Sequence, residues 1–108
     1  MLDPEHRFFD QLPPDEQKHW ASELIRCPAI AQLTPITNAS YLDHPVTYLF
    51  CEGDQALPIS LQQKMVQTVE DSTGVSIHKE TCDAGHSPFL SQPQTIIDLV
   101  MRTLEDDD

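Results

Sequence analysis

The chain has 108 residues, of which 39% are hydrophobic, and a formal net charge of −12 with only six basic residues. This length suits one domain at most, and the acidity repels nucleic acids and anionic membranes, so neither is expected as a partner. Three cysteines without a C-x-x-C pair argue against a disulfide framework. The lack of a long apolar run or an apolar leader favours a cytoplasmic protein.

The segment 1–43 is predicted to be helical and to contain no strand. Pro13-Pro14-Asp15-Glu16 suits the first turn of a helix, and Trp20 and Leu24 then share one side of that helix at the 3.6-residue spacing. Pro28 and Pro35 break the pattern into short turns or a helical turn. We therefore expect a helical segment that differs in character from the rest of the chain.

The segment 44–104 is predicted to be a β-α-β-α unit, beginning with a strand and a helix. The β-branched and aromatic run Val46–Cys51 has little polar alternation, which is typical of a parallel strand buried on both faces. Pro58 and the pair Ser60…Gln63 mark the start of a helix, and Gly74 marks its end.

The second half of this unit is a strand followed by the last helix. Val75–Glu80 alternates apolar and polar residues, as an edge strand does, and a right-handed crossover makes the two strands parallel. The pair Ser91…Gln94 marks the start of the last helix. Its apolar residues are expected to face inward: Ile96, Ile97, Val100, Met101 and Leu104. Residues 105–108 are expected to form a solvated acidic tail.

Two residues with catalytic potential follow the strands. Asp54 comes after the first strand, and His86 lies in a Gly-His-Ser-Pro turn after the second. Taken alone, Asp54 is typical of an Asx turn or a helix N-terminus, and His86 of a surface histidine. Cys51 and Cys82 flank the same strand ends, but the spacing of the cysteines, histidines and acids lacks the paired short intervals of zinc sites. No metal and no cofactor are expected, and the two cysteines are interpreted as small buried hydrophobic residues.

The order of these elements resembles the α/β-hydrolase fold. The motifs Glu-Gly-Asp-x-Ala-Leu-Pro and Asp-Ala-Gly-His-Ser-Pro-Phe-Leu each follow a strand and precede a helix, as in the last two β/α units of that fold. More narrowly, they resemble small esterases related to plant methylesterases and hydroxynitrile lyases, and their fungal relatives in small-molecule metabolism. The resemblance implies a truncated α/β-hydrolase, with residues 1–43 similar to the end of a cap region.

By this resemblance, Asp54 is the triad acid and His86 the triad base, in the acid-then-base order of the family. The 32 residues between them leave room for one helix and one strand, so both side chains are expected at the same edge of the sheet. Leu57 and Phe89 are expected to line the substrate pocket, although plain core packing is the alternative for Phe89.

The nucleophile of such a triad is missing from the sequence. There is no G-x-S-x-G elbow, and Ser87 is a poor nucleophile candidate because it adjoins the base in sequence. The resemblance therefore implies a small-molecule ester hydrolase of secondary metabolism that is inactive alone. Two alternatives stay open, a non-catalytic binding protein and the C-terminal half of a split hydrolase.

The strand Val46–Cys51 would have one unpaired edge in a chain without the preceding strand of the fold. Such an edge predicts self-association or pairing with a complementing chain. Alternatively, the N-terminal helices could cover it with Phe8, Phe9, Trp20 and Leu24.

Overall fold

The computed structural model describes residues 3–106. Helices and strands follow one another in an α/β order: α1 (Pro4–Phe9), α2 (Pro14–Ser22), α3 (Ala29–Leu33), a 3-10 helix (Ser40–Leu42), β1 (Thr47–Cys51), α4 (Ile59–Thr73), β2 (His78–Cys82), α5 (Pro88–Ser91) and α6 (Pro93–Asp106). Residues 3–43 contain helices and no strand, as the prolines and the helical spacing predict.

In the described part of the chain, the sheet consists of two parallel strands that α4 connects. The register pairs Thr47 with His78 at one end and Cys51 with Cys82 at the other. The predicted parallel β-α-β arrangement is confirmed. Because parallel strands end at the same edge, the loops after β1 and β2 lie side by side, which is where Asp54 and His86 are found.

The start of β2 differs from the prediction of a strand over Val75–Glu80. The N–H of Ile77 donates to Oε2 of Glu70 in α4 at 2.9 Å. Ile77 is therefore bonded to the helix and is not part of the strand. Lys79 Nζ donates to the same oxygen at 2.9 Å. These two bonds, the backbone one foremost, hold the pKa of Glu70 below its ordinary value of 4.5.

The hydrophobic core is small and lies between the sheet and α4. Phe50, Val66 and Ile77 form its buried centre. Gly74 ends α4 in the left-handed region with φ 75°, where a residue without Cβ is favoured.

The prediction that the apolar face of the last helix points inward is wrong for most of its residues, although Ile96 is half-buried. In α6, Val100 is 50% exposed and Leu104 is 58% exposed. Helix α2 has no buried residue, and Trp20 in α2 and Leu24 after its end are both exposed. Helical spacing places these side chains on a common stripe, but it does not determine whether another element packs against that stripe. Helix α1 packs elsewhere, against the loop that carries His86.

Two further expectations concern the acidic tail and helices that could cross a membrane. Glu105 and Asp106 of the predicted acidic tail continue α6, whereas Asp107 and Asp108 lie outside the described residues. Between residues 3 and 106, no helix combines the length and the apolar character needed to cross a membrane.

Candidate active site

Asp54 is held by its own loop directly after β1. Its Oδ1 accepts hydrogen bonds from the N–H of Ala56 at 2.8 Å and of Leu57 at 2.9 Å, which is an Asx-type turn. The side chain is only 7% exposed. The Asx turn and the acid role are therefore compatible, because the turn fixes the carboxylate and leaves lone pairs free for a further donor.

That further donor is His86. Its Nδ1 lies 3.0 Å from Oδ2 and 3.1 Å from Oδ1 of Asp54, although the two residues are 32 positions apart. A carboxylate only accepts, so Nδ1 is the protonated ring nitrogen when the imidazole is neutral. Nε2 is then left with a free lone pair. This is the arrangement in which a carboxylate orients a histidine base and stabilises its imidazolium form.

The two loops are joined to each other by backbone hydrogen bonds. The Glu52 N–H donates to the Cys82 carbonyl and the Gly53 N–H to the Ala84 carbonyl, both at 3.0 Å. A Cβ on Gly53 would lie 3.1 Å from the Asp83 carbonyl oxygen and 3.2 Å from that of Ala84. The close approach that Gly53 permits thus keeps the loop that carries Asp54 against the loop that carries His86.

The side chain of Gln62 in α4 holds the end of β1 by hydrogen bonds. It is 2% exposed, its Oε1 accepts from the Cys51 N–H at 3.0 Å, and its Nε2 donates to the Cys51 carbonyl at 3.0 Å and the Leu57 carbonyl at 2.7 Å. One amide thereby spans both ends of the loop that carries Asp54. Sequence reasoning missed it, although a glutamine four residues before the buried Val66 was the available signal of a polar group on a buried face.

Helix α1 covers His86, a contact between residues far apart in sequence. The Phe8 ring stacks on the imidazole with centroids 4.8 Å apart and an interplanar angle of 26°. The segment after α1 is anchored to the same loop, since Gln11 Nε2 donates to the Asp83 carbonyl at 2.9 Å. A Cβ at Gly85 would come within 2.6 Å of Asp10 Oδ1. No local sequence pattern announces this packing.

The two residues predicted to line a pocket lie in different settings. Leu57 is half-buried and belongs to the Asp54 turn, whereas Phe89 is 60% exposed on α5. Their pocket role stays a prediction. A cavity of about 630 Å³ shares Phe8 with the site and is otherwise lined by residues of the N-terminal segment, including Leu24 and Ile25.

The two cysteines at the strand ends are thiols in contact. The Sγ atoms of Cys51 and Cys82 are 3.8 Å apart, and burial raises the pKa of Cys51 to about 12. Among the described residues, no group of three or more His, Cys, Asp or Glu side chains is arranged to hold a metal ion.

The chain is similar in sequence to several known proteins. The chain is 40% identical over 68 residues to Probable hydrolase R7 of Phoma sp. and 33% identical over 82 residues to Alpha/beta hydrolase nvfD of Aspergillus novofumigatus. The chain is α/β-hydrolase-like. It is also 36% identical over 58 residues to Norfluorocurarine synthase 2 of Strychnos nux-vomica. No protein-family model matches it.

These alignments cover much of the hydrolase-like chain but little of its relatives. They include 63%, 75% and 54% of this chain, in the same order, and 28%, 31% and 20% of the three relatives. The hydrolase-like chain thus spans less than a third of the length of any of them.

Proposed function

We propose that these 108 residues contribute the acid and the base of a carboxylic-ester hydrolase site and do not hydrolyse esters by themselves. The observation that carries the proposal is the contact of His86 Nδ1 with both oxygens of Asp54 at 3.0 and 3.1 Å. This contact leaves Nε2 as the basic nitrogen. The similarity to two proteins named as hydrolases supports the reaction class.

The roles follow from the chemistry of the pair. Nε2 of His86 takes the proton of an attacking hydroxyl and later returns it to the leaving group, while the Asp54 carboxylate orients and stabilises the imidazolium. The attack itself needs an activated nucleophile and donors for the developing oxyanion. The sequence has no G-x-S-x-G elbow to supply them, so in this proposal they come from polypeptide outside these residues.

The proposed substrate is a small-molecule ester of secondary metabolism. Similarity to two proteins named as hydrolases supports hydrolysis as the reaction. The cavity of about 630 Å³ beside Phe8 also has a size typical of small-molecule sites, which measure roughly 300–1,000 Å³.

The free edge of β1 supports a complementing polypeptide. The Val46 carbonyl accepts from the His78 N–H, and the Glu52 N–H donates to the Cys82 carbonyl, both at 3.0 Å. Because backbone groups of successive residues point to opposite edges of a strand, the even-numbered residues of β1 face β2.

The odd-numbered residues of β1 therefore face the other edge. At that edge, Gln62 bonds to the N–H and the carbonyl of Cys51. The N–H and C=O groups of Thr47 and Leu49 are also directed away from β2. The same two residues line an apolar cavity of about 250 Å³ with Val100 and Leu104 of α6. We propose that an apolar extended segment of the nucleophile-bearing polypeptide pairs with this edge.

The test is hydrolysis of an activated ester by the purified chain, followed by the same assay after adding the part of nvfD or hydrolase R7 that this chain does not match. We expect no activity above background from the chain alone and activity in the mixture. His86→Ala should abolish the activity of the mixture, and His19→Ala, which changes an exposed histidine of α2, should leave it unchanged. Turnover by the chain alone that disappears in His86→Ala would contradict the proposal.

A second candidate, a non-catalytic binding protein, is favoured by the cavity beside Phe8. It predicts that an ester or its acid product binds saturably to the chain alone without turnover. Phe8→Ala should weaken this binding, because Phe8 is a wall of the cavity. Size-exclusion chromatography with light scattering, run on each sample, separates pairing with the added segment from self-association of the chain.

A further inference from the structure

Cys51 and Cys82 occupy equivalent positions at the ends of two neighbouring parallel strands. Each is the last residue of its strand, and the register pairs them directly. Paired residues of a sheet direct their side chains to the same face, and the two Sγ atoms are in contact at 3.8 Å. Adjacent strands lie about 4.8 Å apart, within the range of about 4.4–6.8 Å that disulfides span between Cα atoms.

We propose that Cys51 and Cys82 are an oxidative modification site, at which a peroxide or an oxidised thiol such as glutathione disulfide converts them into one intrachain disulfide. The sulfurs have to approach each other only from 3.8 Å to about 2.05 Å, and both are already on the same face. The pair lies at the strand ends from which the loops of Asp54 and His86 start. The disulfide therefore links these two loops at their first residues.

With hydrogen peroxide, the reaction has two steps. The Cys82 thiolate attacks a peroxide oxygen, the O–O bond breaks, and Cys82 sulfenic acid and hydroxide form; the hydroxide takes up the proton that the thiol released. The Cys51 sulfur then attacks the Cys82 sulfur, the S–O bond breaks, and the Cys51 proton leaves with the departing hydroxide as water. In total, two thiols and one peroxide give one disulfide and two molecules of water. With glutathione disulfide, the Cys82 thiolate attacks one glutathione sulfur, the S–S bond breaks, and one glutathione leaves as thiolate. The Cys51 sulfur then attacks the Cys82 sulfur of the mixed disulfide and releases the second glutathione, so two thiols and one glutathione disulfide give one intrachain disulfide and two glutathione thiols.

The order of the steps follows from the environments of the two thiols. Cys82 is half-buried, whereas Cys51 is buried and burial raises its pKa to about 12. Cys82 is therefore the thiol that meets the oxidant, and Cys51 is the resolving thiol held against it. Cys27, which is exposed, has no such role and serves as an internal comparison.

The test uses the full chain carrying Cys27→Ser, so that only the pair can react. The protein is equilibrated in glutathione buffers of increasing oxidised fraction, alkylated, and analysed by intact mass and by a non-reducing peptide map. We expect a loss of the mass of two hydrogen atoms and a peptide that links Cys51 to Cys82. The equilibrium constant for this bond should be at least about tenfold greater in the folded chain than in guanidinium chloride.

Single replacements distinguish pairing from general reactivity. Cys51→Ser should leave Cys82 with a stable glutathione adduct, and Cys82→Ser should leave Cys51 as a free thiol. The first experiment keeps both cysteines and does not depend on whether these variants fold. Separate glutathione adducts on the two residues, free thiols throughout, disulfides only between chains, or an equal constant in denaturant would overturn the proposal.

Discussion

Replacing Gln62 by leucine tests how the acid loop is held. Leucine has a similar size but no polar atoms, so the change leaves the N–H and the carbonyl of Cys51 and the carbonyl of Leu57 without the bonds of 2.7–3.0 Å that they make to Gln62. The site is 2% exposed, so water cannot easily replace the amide.

The size of the effect follows from the number of buried backbone groups that lose their hydrogen-bond partner. A buried polar group without a partner costs about 1–3 kcal/mol. The Cys51 N–H and the Leu57 carbonyl both lose their bond to Gln62, whereas the Cys51 carbonyl keeps a bond from the Asp54 N–H at 3.3 Å. After allowing for the better burial of leucine, we expect a loss of about 3 kcal/mol in the free energy of unfolding. This is a large part of the roughly 5–15 kcal/mol that stabilises a typical domain.

The assay is denaturant unfolding combined with amide hydrogen exchange. Gln62→Leu should lower the midpoint and remove the protection of the Cys51 amide. Gln63→Leu changes the exposed neighbour in the same helix and should alter the stability by no more than about 0.5 kcal/mol. If the two variants unfold alike and the Cys51 amide stays protected in both, the role assigned to Gln62 is wrong.

Three further changes probe other contacts. Glu70→Gln should destabilise the chain at neutral pH and flatten its loss of stability in acid, measured by unfolding at several pH values. The lowered pKa of Glu70 means that its carboxylate stabilises the fold above pH 4.5 and loses this effect as the pH falls through the lowered value; an unchanged acid profile would contradict this. Gly85→Ala should destabilise by about 1–3 kcal/mol through its clash with Asp10, and adding Asp10→Ala should recover part of the loss in a double-mutant cycle. Phe8→Ala should move the His86 ring-proton NMR signals downfield by removing the stacked ring, and unmoved signals would rule out the stacking.

The sequence predicts local features of the fold well, because they depend on neighbouring residues. The apolar run ending at Cys51 marks β1 to within one residue, since a buried parallel strand has no polar alternation. The start of β2 is displaced because the Ile77 N–H bonds to Glu70, a helix residue seven positions earlier. The exposed stripe of α6 could not be predicted, since spacing gives a face without its neighbour.

The candidate site also has features that the sequence predicts and features that only the structure shows. Asp54 and His86 are predicted as acid and base by motif and by order, and the structure brings the two side chains into contact because parallel strands place such loops at one edge of a sheet. The stacking of Phe8 on His86 joins residues 78 positions apart, and it depends on how α1 packs rather than on any local pattern. Gln62 carries a weak signal, a polar residue among buried ones, whose partners only the structure identifies.

The proton position on His86 tests the central claim, that Asp54 holds this imidazole as a base through Nδ1. Long-range ¹H–¹⁵N NMR spectra at about pH 9, where imidazoles are generally neutral, report which ring nitrogen is protonated. We expect a proton on Nδ1 of His86 in the wild-type chain, and a shift of the proton to Nε2 in Asp54→Asn, whose amide can donate to Nδ1. A proton on Nε2 in the wild type, or the same tautomer in both proteins, would contradict it.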